Sequence, residues 1–541
     1  MSSASRIARV LAGIERRPML GLVALAVLAA TQINPWWRAG PDSAAYLSIA
    51  RSLASGEGLA RFGSPNSFYA PGYSVLVAPL FWISVRPFLA ISTMNWVTTL
   101  LLAIGVYRWI RRLLPDQAVL VAGLVMVNVA VLEARLSTLS ELTFMTLLFW
   151  SAEPLALAVY GSGRRLWAAG ALATVIVAIL TAVRYPGALL LASLWILLVG
   201  LAVRRSISWV RAAALVVGVS LPVIALATAM IAHDQAMAEK AGNPRLTYTR
   251  YFRRAAESAS HQMLEGLRLR ISEVGRLIVP GMYKSYARKG QWLNINMLIY
   301  LPAFTAVLLG WWRMVRFRMD PVLWLFPFYL GLYIVWPYDQ ATRYMMPLLP
   351  LLWMCVLTVL RAWRRVRKGL PGVVAGLLAA HFVVATVYWV PWLRDARAQD
   401  ANWVVVDEFA AVVGPKEPSG AFVGNPGPMQ WMFALAVDRL WPAYDAIERV
   451  PPGGRWVIVS ALTPPLPGYV VRREVGQFRL LERMFPVRPS SPDQASDFGG
   501  YQEVLAVHAE GSIEAEKLAI YRSYDSKSAY DYAKWVVGIT D

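Results

Sequence analysis

A chain of 541 residues has room for several soluble domains of ~150 residues each, but its composition excludes that organisation. Hydrophobic residues make up 57% and charged residues only 16%, where soluble domains carry roughly 25% charged; with a mean hydropathy of +0.46, this is a membrane protein. The net charge of +20 does not mark a nucleic-acid binder, because residues 394–541 hold 15 Lys/Arg against 19 Asp/Glu while residues 1–393 hold 38 against 14, so the whole excess sits among the apolar runs, as in a bilayer protein with basic inner loops.

A spanning helix needs ~20 mostly apolar residues, and eleven stretches qualify: 18–35, 87–107, 117–134, 141–160, 166–183, 185–203, 212–232, 291–312, 321–337, 344–360 and 370–392. Tyr69–Val85 is short and broken by Pro71, Gly72 and Pro79; it is expected to be re-entrant or interfacial, since such backbone needs protein cover at membrane depth. With the N-terminus inside, every inner loop is basic, from Arg108/Arg111/Arg112 through Arg164/Arg165 and Arg204/Arg205/Arg211 to Arg361–Lys368. The outer regions are then 36–73, 234–290 and everything from Arg394. Residues 1–393 are expected to form the transmembrane domain. Residues 394–541 are expected to form a small extracytoplasmic α/β domain, with a helix over Trp403–Val413 and short strands near Arg455–Ala461 and Glu503–Val507.

Outer region 234–290 carries eleven basic residues against five acidic, which breaks the usual sorting of charge. Its excess is read as functional. Arg250–Arg254 mixes guanidinium groups with aromatics, and Glu265–Ile278 has the periodicity of an amphipathic helix lying on the membrane surface.

The four histidines are far apart and the single cysteine, Cys355, lies in an apolar run. No ligand spacing for a metal is present, and Cys355 is expected to be a buried hydrophobe. Glu153 is read as structural, with a partner still to be found; Glu133 and Arg135 stand near Glu141 in sequence.

The most informative stretch runs from Asn34 to Leu59. Asp42 follows Gly40-Pro41 just beyond the first span and opens a helical pattern ending at Gly56. Two readings stay open: a helix N-cap, worth ~1 kcal/mol, or a carboxylate fixed at the membrane surface as a general base.

This stretch resembles the first outer loop of the multi-span glycosyltransferases that take sugars from polyprenyl-phosphate donors, the GT-C fold that includes protein O-mannosyltransferases and the aminoarabinose transferase acting on lipid A. Tyr69-Ala-Pro-Gly-Tyr73, Met94-Asn-Trp with Tyr107–Arg112, Ser137–Glu141, Arg184-Tyr-Pro-Gly187 and Arg343–Pro350 are similar to that family in order and spacing. The resemblance implies an all-α polytopic domain acting at the outer face of a bacterial plasma membrane. It implies two catalytic residues, Asp42 as the base and Glu141 as the acid of the second outer loop. Where some relatives carry Asp-Glu in the first loop, this chain has Asp42-Ser43. Where the aminoarabinose transferase has an acidic-basic pair, this chain has Tyr69-Ala70. Both departures argue against lipid A aminoarabinosylation and against a metal in that loop.

The chemistry such a transfer requires is deprotonation of an acceptor hydroxyl and neutralisation of a departing phosphate. Candidates for the phosphate are Arg184, Arg343, Arg253, Arg254, Lys284 and Arg288; candidates for sugar or acceptor contact are Tyr46, Tyr69 and Trp37. For Arg343 a local pair with Asp339, four residues earlier, is the plain alternative. The expected partners are a polyprenyl-phosphate sugar as donor, a glycan, lipid or protein acceptor, and membrane lipid. No cofactor is assigned; a divalent metal ion shared by Asp42 and Glu141 stays open as an alternative, although two oxygen ligands fall short of the ~6 that a hard cation takes. A flippase of lipid-linked sugars and a non-catalytic membrane scaffold are the rival classes. A transporter should show inverted repeats and broken midplane helices, neither of which the sequence displays.

Overall fold

The computed structural model describes residues 18–240, 247, 253, 259–283, 295–336, 342–363, 370–415, 420–423, 428–439, 441, 443–444, 455–460, 469–475 and 477–483. In chain order the elements are α1 (Pro18–Ala30), α2 (Pro41–Ala54), the hairpin β1 (Ala60–Arg61) and β2 (Ser64–Pro65), α3 (Gly72–Val77), α4 (Phe88–Leu113), α5 (Ala118–Met126), α6 (Val129–Leu136), α7 (Glu141–Tyr160), α8 (Gly163–Val183), α9 (Leu189–Val203), α10 (Trp209–Lys240), α11 (Ala259–Ile278), α12 (Met297–Phe317), α13 (Pro321–Val335), α14 (Leu349–Ala362) and α15 (Leu370–Asp400). The C-terminal part adds α16 (Asn402–Val413), β3 (Gly420–Val423), α17 (Pro428–Val437), β4 (Ala443–Tyr444), β5 (Trp456–Ser460), β6 (Tyr469–Val475) and β7 (Phe478–Arg483).

Each predicted span has a helical counterpart, but the count of eleven is corrected. Among the described residues, seven helical stretches are long and apolar enough to cross a membrane, and an eighth is gained if the bent pair Pro115–Met126 and Val129–Leu136 counts as one span. The shortfall is one of length. α1 has 13 described residues, α13 has 15 and α14 has 14. At 1.5 Å per residue, 15 residues reach only ~22 Å of the ~30 Å hydrocarbon layer. Pro321 at the start of α13, and the 3₁₀ turn Met346–Leu348 ahead of Pro350, fix where these helices begin. Tyr69–Val85 contains α3 followed by a 3₁₀ turn over Ala78–Trp82, which is too short to span. Its outer side exposes Val75, Trp82, Ile83 and Val85.

α15 runs unbroken to Asp400 despite Pro391, so position 393 falls inside a helix and the chain passes almost directly into α16. The C-terminal part is built on a five-stranded mixed sheet of order β4-β3-β5-β7-β6. β3 is parallel to β4 and β5, while β7 is antiparallel to β5 and β6. The expected strand at Arg455–Ala461 is β5, and the expected Trp403–Val413 helix is α16. Glu503–Val507 lies outside the described residues.

The segment expected to lie on the membrane surface is packed instead. In α11, Arg268, Arg270, Glu273 and Arg276 are all buried, because the helix is seated against its neighbours. A Cβ at Gly266 would meet the Ile334 carbonyl oxygen at 1.8 Å, and one at Gly275 would meet the Tyr300 ring at 2.1 Å. Two of the buried guanidinium groups pair within the helix, Arg270 donating to Glu273 at 2.8 Å and Arg268 Nε to Glu265 at 2.7 Å. The strong amphipathic pattern is real, but its partner is protein rather than headgroups. Cys355 is fully buried.

Candidate active site

α2 begins at Gly40, with Pro41 and Asp42 in its first turn. Gly40 is the N-cap and no side chain caps the helix, so the capping reading of Asp42 is corrected: proline at the first helical position shifts the start by two residues. The carboxylate is turned to other partners. Its Oδ1 accepts from Tyr69 Oη at 2.9 Å, and its Oδ2 accepts from Arg343 Nη1 at 2.5 Å. The same guanidinium reaches Glu141 Oε1 through Nε at 2.8 Å and Nη2 at 2.7 Å. Arg184 Nη1 stands 2.7 Å from that oxygen as well. Residues 42, 141, 184 and 343, from four separated parts of the chain, therefore form one cluster of two carboxylates and two guanidinium groups. The local Asp339 alternative for Arg343 lies outside the described residues.

The four groups differ in access. Glu141 is fully buried, whereas the Asp42 and Arg343 side chains retain 23% and 24% exposure. Glu141 thus anchors from behind, and Asp42 and Arg343 form the open edge. Glu141 Oε2 is buried without a hydrogen-bond partner among the described residues, leaving the ion cluster with capacity to receive a further polar group. Burial would lower the pKa of Arg184 and of Arg343, but the Glu141 carboxylate more than offsets it and holds both firmly charged.

Local backbone explains the placement. Glu141 opens α7 after a turn in which Thr138 takes φ +50°, a left-handed conformation that costs a β-branched residue about 1–3 kcal/mol. Arg184 follows the end of α8, where Tyr185-Pro-Gly-Ala makes a 3₁₀ turn. Glycine at 187 is required, since a Cβ would meet the Leu180 carbonyl carbon at 2.8 Å. Arg343 precedes the 3₁₀ turn leading into α14.

Aromatic side chains wall the cluster. Tyr46 is edge-on to both Tyr69 and Tyr73, each at 5.2 Å, and shares a hydrogen bond with Ser140 at 3.1 Å. Burial pushes the Tyr46 phenol up to about 12 and also raises that of Tyr69, with the neighbouring Asp42 charge adding to it. On the other side Tyr333 stacks on Tyr344 at 4.4 Å, and the Arg270 guanidinium lies over Tyr344 at 5.1 Å.

Other sequence candidates fall elsewhere. Trp37 is 3% exposed and clustered with Phe88 and Trp403, which also stack on each other, so it packs in the interior and is not open to a ligand. Arg253 is exposed; Arg254, Lys284 and Arg288 lie outside the described residues. Glu153 pairs with Arg108, and Glu133 with Arg38 at 2.8 Å. Sequence reasoning missed Ser140, Tyr73, Tyr333 and Arg270. The two tyrosines of α13, Tyr329 and Tyr333, four residues apart, were the available signal. Among the described residues no group of three or more His, Cys, Asp or Glu is close enough to hold a metal.

The cluster lies at one end of the bundle. α7 starts at Glu141, and Glu153 twelve residues on, ~18 Å along the axis, meets Arg108 near the basic end of α4. The ion cluster and the arginine-rich ends of the spans are therefore opposite.

Known structures share this architecture. ArnT from Cupriavidus metallidurans in the apo state matches over 87% of this chain and 99% of its own, with a TM-score of 0.54 at 10% identity. ArnT from the same organism bound to undecaprenyl phosphate matches over the same shares, with a TM-score of 0.51 at 11% identity. The Archaeoglobus fulgidus oligosaccharyltransferase covers 81% of this chain and 68% of its own at 12% identity, with a TM-score of 0.48 that carries no argument. The chain is thus a mostly helical membrane protein with a GT-C-like fold. No curated protein matches it in sequence. A family model for the C-terminal region of 4-hydroxyphenylacetate 3-hydroxylase (HpaB) matches residues 494–538, a small fraction of the chain outside the described residues.

Proposed function

We propose that the protein is an integral-membrane glycosyltransferase that moves a sugar from a polyprenyl-phosphate donor to an acceptor hydroxyl at the outer face of a bacterial plasma membrane. The observation that carries the proposal is the partly exposed Asp42–Arg343 pair braced by buried Glu141 and Arg184. Its position opposite the arginine-rich span ends supports an extracytoplasmic site with the N-terminus inside. Residues 1–393 are the transferase part and residues 394–541 the extracytoplasmic part. One structural neighbour with this fold binds undecaprenyl phosphate, which supports a lipid-phosphate donor here.

In this reading the acceptor oxygen attacks the anomeric carbon while the carbon–oxygen bond to phosphate breaks, and the phosphate leaves with the electron pair. The centre inverts. Asp42 takes the acceptor proton. Arg343 and Arg184 meet the charge that grows on the leaving phosphate. Arg253, Arg254, Lys284 and Arg288 of the second outer region are the further candidates for that phosphate.

Glu141 does not take the acid's part at the reacting centre. Fully buried and spent on two guanidinium groups, it acts as a positioning residue that aims Arg343 and Arg184. Arg343 has a second consequence. A donor phosphate competes with Asp42 for the same guanidinium, so donor binding draws Arg343 away and frees Asp42 Oδ2 to accept a proton. Tyr69 keeps Asp42 oriented while this happens, and Tyr46 and Tyr69 line the sugar.

The test is incubation of purified protein with a radiolabelled polyprenyl-phosphate sugar and an acceptor extract. Release of polyprenyl phosphate with label appearing in acceptor supports transferase activity. Movement of intact donor across proteoliposomes without label transfer would establish a flippase instead.

A further inference from the structure

The C-terminal part grips α2, the helix that carries Asp42, from the side away from the ion cluster. After α17 the chain turns at Asp438, a buried residue with φ +55°. Asp tolerates this left-handed conformation better than most side chains. Asp438 Oδ1 lies 2.7 Å from Arg51 Nη2 and accepts from Ser48 Oγ at 3.3 Å. Arg51 Nη1 also donates to the Leu435 carbonyl of α17. Ser48 and Arg51 stand six and nine residues after Asp42, which at 100° per residue places them on the helix face away from Asp42 and Tyr46.

The same turn holds a second segment. Ser48 Oγ accepts the Phe62 amide at 2.7 Å. Phe62 and Gly63 form the tip of the β1–β2 hairpin with φ +49° and +70°, the pairing a type I′ turn requires. A bulky Phe there is strained, and it is held by burial and by Ser48. A Cβ at Gly63 would sit 3.0 Å from the Asp438 carbonyl oxygen, so the hairpin tip is packed directly on the Asp438 turn. From the hairpin the chain runs through Asn66, whose side chain receives the Tyr69 amide at 3.1 Å and donates to the Tyr69 carbonyl at 2.7 Å. Tyr69 is the residue that donates to Asp42. The helix bearing Asp42 and the loop bearing its hydrogen-bond donor therefore meet at one turn of the C-terminal part: its carboxylate holds Ser48 and Arg51 of α2, and Ser48 in turn holds the hairpin tip that packs on the Asp438 backbone.

We propose that Asp438 is a positioning residue through which the C-terminal part locks α2 and the β1–β2 hairpin, and so sets the geometry of Asp42 and Tyr69; the catalytic consequence rests on the transferase reading above. Asp438 touches neither donor nor acceptor. Its loss lowers the turnover number and leaves the donor KM in place, because Arg184 and Arg343 keep Glu141, which is not on α2, as their common anchor.

The informative variant is Asp438→Gly, which keeps the positive φ and removes only the carboxylate. Two readouts apply, in nanodiscs and with the full chain. Amide hydrogen exchange over residues 44–54 and 60–69 should accelerate at least tenfold. The kcat for transfer should fall by ~10–100-fold, the scale of a misplacement of about 1 Å, with donor KM within about twofold. Glu408→Gln, which breaks the exposed Arg473–Glu408 pair within the C-terminal part, should change neither. If Asp438→Gly fails to fold, Arg51→Gln removes the same pair from the α2 side and should give the same two changes. Unchanged exchange over 44–54 and 60–69 overturns the proposal. A fall in kcat matched by a proportional rise in donor KM overturns it too. If the unaltered protein transfers no sugar, the transferase reading fails, and the exchange result still decides whether Asp438 locks the two segments.

Discussion

Glu141→Gln is the perturbation that reads the ion cluster most quantitatively. Three nitrogens lie within 2.8 Å of one oxygen of a carboxylate with no solvent exposure. Two unit charges ~4 Å apart interact by about 4 kcal/mol at an effective dielectric of 20, and Glu141 makes two such pairs. Much of that gain offsets desolvation, so the net worth of the pairs is smaller. The cost of deleting one member is large, because the partners stay buried and charged: breaking a buried pair from one side costs about 3–5 kcal/mol. Arg343 keeps Asp42 as a second partner, so the residual strain falls on Arg184. The expected pattern is therefore non-additive. Glu141→Gln should destabilise by about 3–5 kcal/mol, while Arg184→Gln in that background should cost little or restore stability, giving a coupling of at least ~1.5 kcal/mol. The assay is equilibrium unfolding in mixed micelles followed by tryptophan fluorescence for the four members of the cycle. A coupling under ~0.5 kcal/mol would refute the account of Glu141 as the common anchor.

Further expectations concern other parts of the molecule. Burial holds the Tyr46 and Tyr69 phenols protonated above their ordinary range. A raised folded pKa gives stability that is fully present below pH ~10 and is lost as pH rises through the folded values. Phenolate absorbance at pH 11 should accordingly show fewer ionised tyrosines in the native protein than in denaturant, with the deficit smaller by one in Tyr69→Phe; equal titration of native and denatured protein would contradict the burial. Gly72→Ala should destabilise by about 1–3 kcal/mol, since its Cβ would stand 2.6 Å from the Ala182 backbone carbon, and an unshifted unfolding midpoint would show that α3 and α8 do not meet there. Replacing Arg253 and Arg254 together by Gln should raise donor KM in neutral detergent; an effect confined to anionic liposomes would make that region a membrane anchor, worth ~1 kcal/mol per basic residue.

The legibility of the molecule divides by the range of the forces involved. Apolar runs and arginine placement are local and cumulative, so a counterpart of every span could be read in advance. The number of described helices long enough to cross could not, because Pro321 and the turn before Pro350 set where α13 and α14 begin. Asp42, Glu141, Arg184 and Arg343 were each nameable, but their convergence joins residues up to 301 apart in sequence, and nothing local specifies it. α11 shows the opposite failure. Its periodicity was plain, yet a protein surface and a membrane surface select the same pattern, and only the close approach at Gly266 and Gly275 distinguishes them. The N-cap reading of Asp42 failed by two residues, because Gly40-Pro41 starts the helix earlier than the apolar pattern does. Asp438 left no sequence signal, since a lone aspartate in a turn looks like any other.

Asp42→Asn tests the central claim most directly. Asparagine matches the aspartate in shape and still accepts from Tyr69, but it cannot take up the acceptor proton. With a radiolabelled polyprenyl-phosphate sugar and a saturating acceptor, single-turnover transfer should slow by ~10²–10⁴-fold, while donor binding, measured by filter retention of the same label, is retained or tightened as Arg343 loses its competing carboxylate. Transfer at a rate close to that of the unaltered protein would contradict the assignment of Asp42 as the base and leave it as one more member of a structural ion cluster.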